Sequence, residues 1–338
     1  MTATAPPPAT SPVPPAPAGT SAPTATAPTA PTAPAAGGPG KGRRGQRAAR
    51  PERPPRPPRP EPSAGNLAAS TSLTVLAVLC LWLLVHLLFL GTVSHDRAQA
   101  LLHSDFRAQL AGATAPVGPV VPAGEPVALL RIPAIGVQEV VVEGTAAGDL
   151  FAGPGHRRNT VLPGQVGTSL VYGRSVTYGA PFERLAELAP GDLVEVTTAQ
   201  GKRNLRVLGV RRDGDPLPQP AASGAARLTL VTAAGEGRLA ALSPGSALYV
   251  DAEVPQGHPA PGGVPAVVPP SEEAMASGTE ALPLLTLWLT CLIAVVAAAL
   301  LALQRWSAGL VWVVAVAPVL ALAWLATDTA MRLLPNLV

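Results

Sequence analysis

The chain has 338 residues, a formal net charge of +3 and a charged fraction of 13%, with 41 prolines and 33 glycines. Both of its cysteines, Cys80 and Cys291, lie in long apolar runs, so the soluble part has no thiol for a disulfide, a metal site or redox chemistry. No histidine pair, carboxylate cluster or phosphate-binding loop has a recognisable spacing, and the sequence therefore predicts neither a metal nor another cofactor.

Residues 1–66 form a Pro- and Ala-rich tail that ends in a basic block. The tail has a net charge of +6, which leaves about −3 for the rest of the chain. Such a composition buries too little apolar surface to offset chain entropy, and it predicts disorder. We interpret the basic block as a topology signal that contacts anionic membrane lipids. An alternative is that "RPPRPPRP" binds an SH3-like partner in the cytoplasm.

Three apolar runs are long enough to suggest transmembrane helices, at residues 67–93, 282–303 and 308–326. The first has no apolar stretch before it, so we expect an uncleaved signal anchor. The basic residues that precede it predict a cytoplasmic amino terminus and an extracellular segment 94–281. The third run then leads outward again, although Arg332 on its far side disfavours that direction. We therefore expect a multi-pass protein of the cell membrane.

The extracellular part divides into a juxtamembrane helix with a linker (94–126), a folded domain (127–254) and a Pro/Gly-rich linker (255–281). The folded domain has equal numbers of basic and acidic residues, which argues against nucleic-acid binding. Its pattern indicates seven or eight strands with two short helices, including a hairpin at Gln200-Gly201. The predicted fold class is mainly β, a closed or nearly closed barrel flanked by transmembrane α-helices.

Four segments give the domain a family resemblance: "LLRIPAIGV", "VVEGTAAGDLFAGPGH", "LPGQVGTSLVYGRSVTYGAPFERLAELAPGD" and "RLTLVTA". In this order they resemble the sortases, most closely the class E sortases of actinobacteria. The Ala-, Pro- and Gly-rich composition is also typical of a high-GC actinobacterium. The resemblance implies an extracytoplasmic, eight-stranded sortase-like β-barrel. It also implies cysteine transpeptidase chemistry, in which a Cys thiolate attacks a sorting-signal peptide, a His transfers the proton and an Arg lies near the oxyanion.

The residues at the catalytic positions depart from this pattern. The His position, at the end of the fourth strand, holds Arg174, and the Cys position, at the end of "TLVTA", holds Ala233. The Arg position falls at Ser246 or Ala247, while Arg238 lies nearby but several residues too early. The resemblance therefore implies a catalytically degenerate member with no intact catalytic residue.

Other side chains offer weak replacements for the missing chemistry. Thr232 precedes the Cys position and, by strand alternation, faces the opposite side. Ser175 has no His neighbour in the sequence. We interpret His156, the domain's single His, as a structural or rim residue, and His86 as a tolerated or helix-contacting residue of the first span. His258, in the linker, is assigned no specific role.

Arg174 has two interpretations. It cannot be a general base, because the pKa of a guanidinium is too high. Either it occupies the old cleft and binds a carboxylate or peptide carbonyl, or it reaches solvent or pairs with an acid such as Glu236. Tyr172 and Phe182 pack in the core or line a groove. The candidate cleft comprises five residues: Arg174, Thr232, Ala233, Tyr178 and His156.

These observations predict a membrane-anchored, non-catalytic sortase-like protein. Its partner would be a sorting-signal peptide, a cell-surface protein or an active sortase, with membrane lipids contacting the basic tail and no nucleic acid involved. One alternative is an active peptidase or transpeptidase that uses other residues. Another is a structural component of the cell envelope, whose membrane helices make the important contacts.

Overall fold

The computed structural model describes residues 64–118, 120–234 and 246–338, which lie in one compact unit, Pro62–Val338. The predicted disorder of the tail concerns residues that are almost all outside the described part. Arg238 and Glu236 also lie outside the described residues.

One long helical run opens the described chain. It consists of α1 (Ala64–Val85), a π-helical turn (His86–Leu90) and α2 (Gly91–Ala111). In α1 the stretch Leu76–Val85 is strongly apolar. The predicted first span thus merges into the juxtamembrane helix without a break.

The domain that follows is a closed eight-stranded barrel. Its strands are β1 (Pro126–Ile132), β2 (Val137–Glu143), β3 (Gly155–His156), β4 (Gly167–Tyr172), β5 (Leu193–Thr198), β6 (Gly201–Arg212), β7 (Ala226–Ala233) and β8 (Ala247–Val254). They follow one another around the barrel as β1-β2-β3-β4-β7-β8-β6-β5. The pairs β2–β3 and β4–β7 are parallel, and the others are antiparallel. The prediction of a mainly-β barrel is confirmed.

Local sequence signals explain much of this fold. The β5–β6 hairpin pairs Thr198 with Gly201, as predicted. Gly201 has a φ of 114°, a backbone conformation that residues with a Cβ rarely adopt. β5 alternates half-buried with buried residues, whereas every residue of β7 is buried. The two predicted short helices are single 3-10 turns, Asp149–Phe151 and Leu185–Glu187.

The aliphatic interior of the barrel forms the main core. Its buried members include Leu130, Val141, Phe182, Leu205, Leu228, Leu230 and Val250. All come from residues 121–252, so the barrel builds this core from its own strands and loops.

The helix α2 lies against the barrel instead of standing free of it. Phe106 is buried with Val140 of β2. The Gln99 side chain donates to the carbonyls of Val140 and Ala152, and it accepts from the Val140 amide at 2.8 Å. Nearby, His95 Nε2 is 3.2 Å from Glu139 Oε2.

After the barrel, the chain returns along its surface before the last two helices begin. The His258 amide and carbonyl bond to Gly164 and Val166, and the Thr145 hydroxyl donates to the carbonyl of Glu272. The helices α3 (Leu282–Ala302) and α4 (Ala308–Met331) pack on each other. Two helical stretches, Thr279–Ala302 and Ala308–Met331, are long and apolar enough to cross a membrane, in agreement with the second and third predicted spans.

Candidate functional site

The ends of two neighbouring strands bring Arg174 and Ala233 close to each other. In the parallel β4–β7 pair, Tyr172 lies beside Val231. The Gly173 amide continues this pairing by donating to the Val231 carbonyl at 2.9 Å. Arg174 and Ala233 therefore lie at the ends of adjacent strands. Gly173 is required between them because a Cβ there would overlap the Phe182 ring.

The guanidinium of Arg174 is fully buried at this place. Nη1 donates to Thr177 Oγ1 at 2.8 Å and to the Val338 backbone oxygen at 2.6 Å, while Nη2 donates to the Ala147 carbonyl at 3.0 Å. Its Cζ lies 4.6 Å from the centroid of the Phe151 ring, a cation–π contact. The idea that Arg174 reaches solvent is wrong, because its partners lie inside the molecule.

Burial also sets the electrostatics of this group. No carboxylate side chain forms an ion pair with Arg174 within the described parts of the chain. Loss of water lowers its pKa to about 10, so the group remains a cation at neutral pH. A buried cation held by backbone oxygens is a donor array for peptide carbonyls and not a base.

Tyr178 forms the aromatic side of the site. Its ring stacks on Phe151, with centroids 4.0 Å apart, and its hydroxyl donates to Asp328 Oδ1 of α4 at 2.9 Å. Burial, followed by the charge of Asp328, raises the pKa of this phenol. Tyr178 adopts a φ of 49°, which is unusual for a residue with a side chain, so the loop is held in a strained form.

The floor of the site is made of small residues. Ala233 pairs with Ala247 of β8, which with Ser246 is one of the two residues proposed for the Arg position. Both are buried in a second apolar cluster, separate from the barrel interior, which we call the groove cluster: Leu150, Tyr172, Val231, Ala233, Ala247, Leu337 and Val338.

Two members of the groove cluster come from the other end of the sequence. Leu337 and Val338 are fully buried. They follow α4 and lie more than 80 residues beyond the end of β8 in the sequence. Ser175 donates to the Leu337 carbonyl from both its amide, at 3.0 Å, and its hydroxyl, at 3.2 Å. Thr177 Oγ1 donates to the Val338 backbone oxygen at 2.6 Å. Sequence reasoning missed this segment, whose only signal was the apolar pair itself.

The hydroxyl groups near Ala233 are engaged as donors. Thr232 Oγ1 donates to the Gly173 carbonyl at 2.9 Å and is buried. Ser175 Oγ donates to the Leu337 carbonyl. Neither hydroxyl has a His side chain among its hydrogen-bond partners in the described part of the chain. Activation of a hydroxyl nucleophile needs such a base.

His156 makes a structural contact in the barrel wall. Its Nδ1 lies 2.7 Å from Glu143 Oε2, and its Nε2 lies 2.9 Å from the Val161 carbonyl and 3.0 Å from Thr160 Oγ1. Both the imidazole and the carboxylate are about 2% exposed. The two ring nitrogens are thus occupied, and these contacts are not with Arg174 or Ala233.

The remaining predicted residues fall in different places. Phe182 packs in the barrel core, and the Tyr172 hydroxyl accepts from Arg157 at 2.9 Å. His86 lies in the π-helical turn, 3.4 Å from the Tyr178 hydroxyl, so it does contact another element. His258 joins the linker to the barrel through its backbone, a role that the sequence did not suggest.

Charged groups surround the rim of the groove cluster. Arg158 Nη2 lies 2.8 Å from Glu272 Oε1, and burial raises the pKa of both Glu272 and Asp149. Arg332 lies over the edge of Phe151, with Cζ 6.0 Å from the ring centroid. No group of three or more potential metal ligands occurs among the described residues. The rim therefore holds the post-barrel chain on the barrel by ion pairing.

Part of the chain is similar to known sortases. The family model described as the sortase domain matches residues 130–236. A sortase E variant from Streptomyces avermitilis is 30% identical, and the match covers 39% of this chain and 89% of that one with a TM-score of 0.32. A sortase E from Streptomyces coelicolor, solved with a tripeptide in its active site, is 24% identical over 38% and 87%, with a TM-score of 0.33. A sortase D transpeptidase from Clostridium perfringens is 20% identical over 47% and 97%, with a TM-score of 0.37. No curated protein matches the chain significantly.

Proposed function

Starting from the sortase-family domain at residues 130–236, we propose that this protein is a membrane-anchored, non-catalytic sortase-like protein that binds an extended peptide. The observation that carries the proposal is the buried Arg174 beside Ala233, with backbone oxygens of another segment held against it. The proposed ligand is a sorting-signal peptide, presented by a cell-surface protein or in complex with an active sortase.

Acyl transfer to a protein nucleophile needs an activated nucleophile and a group that moves its proton. Ala233 offers no nucleophile, and a guanidinium with a pKa of about 10 does not accept a proton at neutral pH. The hydroxyls of Thr232 and Ser175 donate to backbone carbonyls. The chemistry that remains at this site is recognition, because its donors match the carbonyl groups of a peptide backbone.

The class E character and the degeneracy rest on the sequence motifs described above. By these motifs, Arg174, which follows β4, stands at the His position, and Ala233, the last residue of β7, stands at the Cys position. The Arg position is Ser246 or Ala247, at the start of β8. We propose that all three substitutions together convert a reacting cleft into a binding groove.

A multi-pass arrangement with a cytoplasmic amino terminus follows from the same proposal. Trp82 Nε1 donates to Thr327 Oγ1 at 2.9 Å, and His86 and Asp328 both contact Tyr178 of the barrel. The first helix and α4 thus meet the barrel at one level. The Gly278 amide, just before α3, donates to the Arg332 carbonyl at 2.8 Å. These contacts support three spans that meet the barrel on one side of the membrane, with the basic tail on the other side.

The test is a binding and cleavage assay on the full chain in detergent micelles. A fluorescent sorting-signal peptide is titrated with an amine acceptor present, and product is followed by mass spectrometry. The Arg174→His, Ala233→Cys double variant is run in parallel, because it restores the two reacting groups. We expect binding without cleavage by the unaltered chain.

Cleavage by the unaltered chain would overturn the non-catalytic assignment. Cleavage by the double variant alone would show that the groove keeps a productive geometry for a peptide. If the peptide binds neither form, nor a form in which residues 335–338 no longer fill the groove, the peptide-binding proposal itself is wrong.

A further inference from the structure

The feature that leads further is the segment Pro335–Val338, which we call the 335–338 segment. It follows α4 and the short stretch 332–334, and it packs against the barrel. Leu337 and Val338 are fully buried against the small floor residues of the groove cluster. The segment therefore contacts the barrel in the way a bound ligand would, although it belongs to the same chain and is connected to the barrel through α4.

The loop after β4 binds this segment through its backbone. Ser175 donates twice to the Leu337 carbonyl, and Arg174 and Thr177 each donate to the Val338 oxygen at 2.6 Å. Successive backbone oxygens are thus bound by one short loop. The segment itself makes a turn, in which the Val338 amide donates to the Pro335 carbonyl at 3.1 Å. This mode of recognition depends on the peptide backbone more than on side-chain identity, so the groove suits other peptides that present successive carbonyls and aliphatic side chains.

A second set of contacts fixes the start of the segment. Asn336 Nδ2 donates to the carbonyls of Thr145 and Glu273, both at 2.8 Å, and the Asn336 amide donates to the Ala276 carbonyl at 2.9 Å. Asn336 is fully buried. The segment therefore lies between the barrel loop at Thr145 and the linker before α3, and its position is coupled to both.

The floor of the groove shows what the segment covers. Ala233 and Ala247 face each other across β7 and β8 and are 6% and 2% exposed. Leu337 and Val338 pack in the same apolar cluster as these two alanines. Departure of the segment would uncover this floor and Arg174 together, without removing any residue of the barrel core.

We propose that the 335–338 segment is a built-in competitor that occupies the peptide groove, and that the groove accepts a peptide from another protein only after this segment withdraws. This inference deepens the proposed function, since it names the regulation of the same groove. Occupancy is coupled to α4, because only residues 332–334 separate the segment from the end of that helix.

The experiment measures the accessibility of a thiol placed at the groove floor. The full chain in detergent carries Cys80→Ser and Cys291→Ser, and Ala233→Cys is added as the probe. Maleimide labelling of the thiol at position 233 is compared with and without Leu337→Asp, which puts a charge into the fully buried Leu337 position. We expect labelling to be at least tenfold faster with Leu337→Asp.

Two matched alanines control for folding. Ala252→Cys is buried in the barrel core and should stay protected in both backgrounds, whereas Ala222→Cys is exposed and should label at the same rate in both. If Leu337→Asp exposes the thiol of the Ala252→Cys control, the milder Asn336→Ala replaces it, since that change removes only the two side-chain bonds. The proposal is wrong if the position-233 thiol is equally protected in the protein with the original segment and in a folded protein with the substituted segment.

The ligand role is tested with a synthetic hexapeptide of the chain's own sequence 333–338, LLPNLV. Added to the Leu337→Asp protein, it should restore protection of the position-233 thiol, and a scrambled peptide should not. Failure to restore protection would show that the segment is only a packed part of the fold. Restored protection together with no binding of any sorting-signal peptide would leave the built-in competitor in place and remove the proposed function.

Discussion

The two apolar clusters of this barrel are assembled in different ways. In the described part of the chain, the buried residues of the barrel interior come from residues 121–252, that is, from the strands and loops of the barrel itself. The groove cluster joins strand ends near residues 231 and 247 to Leu337 and Val338, which lie beyond two long apolar helices. The comparison teaches that the first cluster belongs to the barrel alone, while the second depends on how the last helix is positioned.

The largest expected effect tests whether His156 belongs to the barrel wall or to the groove. Glu143→Ala removes the buried partner of His156 and should destabilise the barrel by about 3–5 kcal/mol. Urea-dependent hydrogen exchange of the β7 amides measures it. Glu187→Ala, in the exposed pair with Arg184, is the control and should have no measurable effect. Weaker peptide binding with unchanged exchange would assign His156 to the groove instead.

The next effect probes the barrel interior directly. Leu230→Ala deletes a fully buried side chain of β7 and should lower the free energy of unfolding by about 2–5 kcal/mol, through lost burial and a new cavity. The same hydrogen-exchange measurement applies. Comparable losses for β1 and β7 amides are expected, since one closed sheet contains both strands. A loss confined to β7 would mean that the interior does not unfold as a unit.

A smaller effect is expected at the groove. Leu337→Ala also truncates a fully buried leucine, but the segment can withdraw without unfolding the barrel, so the loss for β7 amides should be about 1 kcal/mol or less. Amides of the loop 174–177 should exchange faster at the same time. If Leu337→Ala destabilises β7 as strongly as Leu230→Ala does, the two clusters form a single cooperative core.

The smallest effect concerns pH and the helix α2. Although burial of His95 opposes it, the bond and charge of Glu139 raise the pKa of this imidazole above its usual 6.5. The folded state therefore binds the His95 proton more tightly than the unfolded state does. The resulting stabilisation of the fold is present below pH 6.5 and decreases as the pH rises through the raised pKa. Unfolding measured from about pH 6 to 9 should show this decrease. Glu139→Gln should flatten it, and Asp105→Asn, on the same helix but exposed, should not.

The sequence predicted the barrel well because its signals are local. Alternating apolar residues, the Gln200-Gly201 turn and the motif order were sufficient for the strands and their closure. The same signals put Arg174 and Ala233 at strand ends, and the parallel pairing of β4 with β7 makes these ends adjacent. The occupant of the groove could not be predicted, since Leu337 and Val338 carry no pattern that names a partner more than 80 residues away. Nor could the sequence tell that the linker at His258 lies on the barrel, because its contacts are backbone hydrogen bonds.

The short connection between α4 and the groove also acts as a ruler. Four residue steps separate Met331 from Pro335, which limits that distance to about 14 Å even for a fully extended chain. If α4 crosses the bilayer, the groove is held just above the lipid headgroups and not out in the cell wall. A competing peptide would then have to arrive at that height, as a segment emerging from the membrane does, whereas one exposed far from the bilayer would not meet the groove.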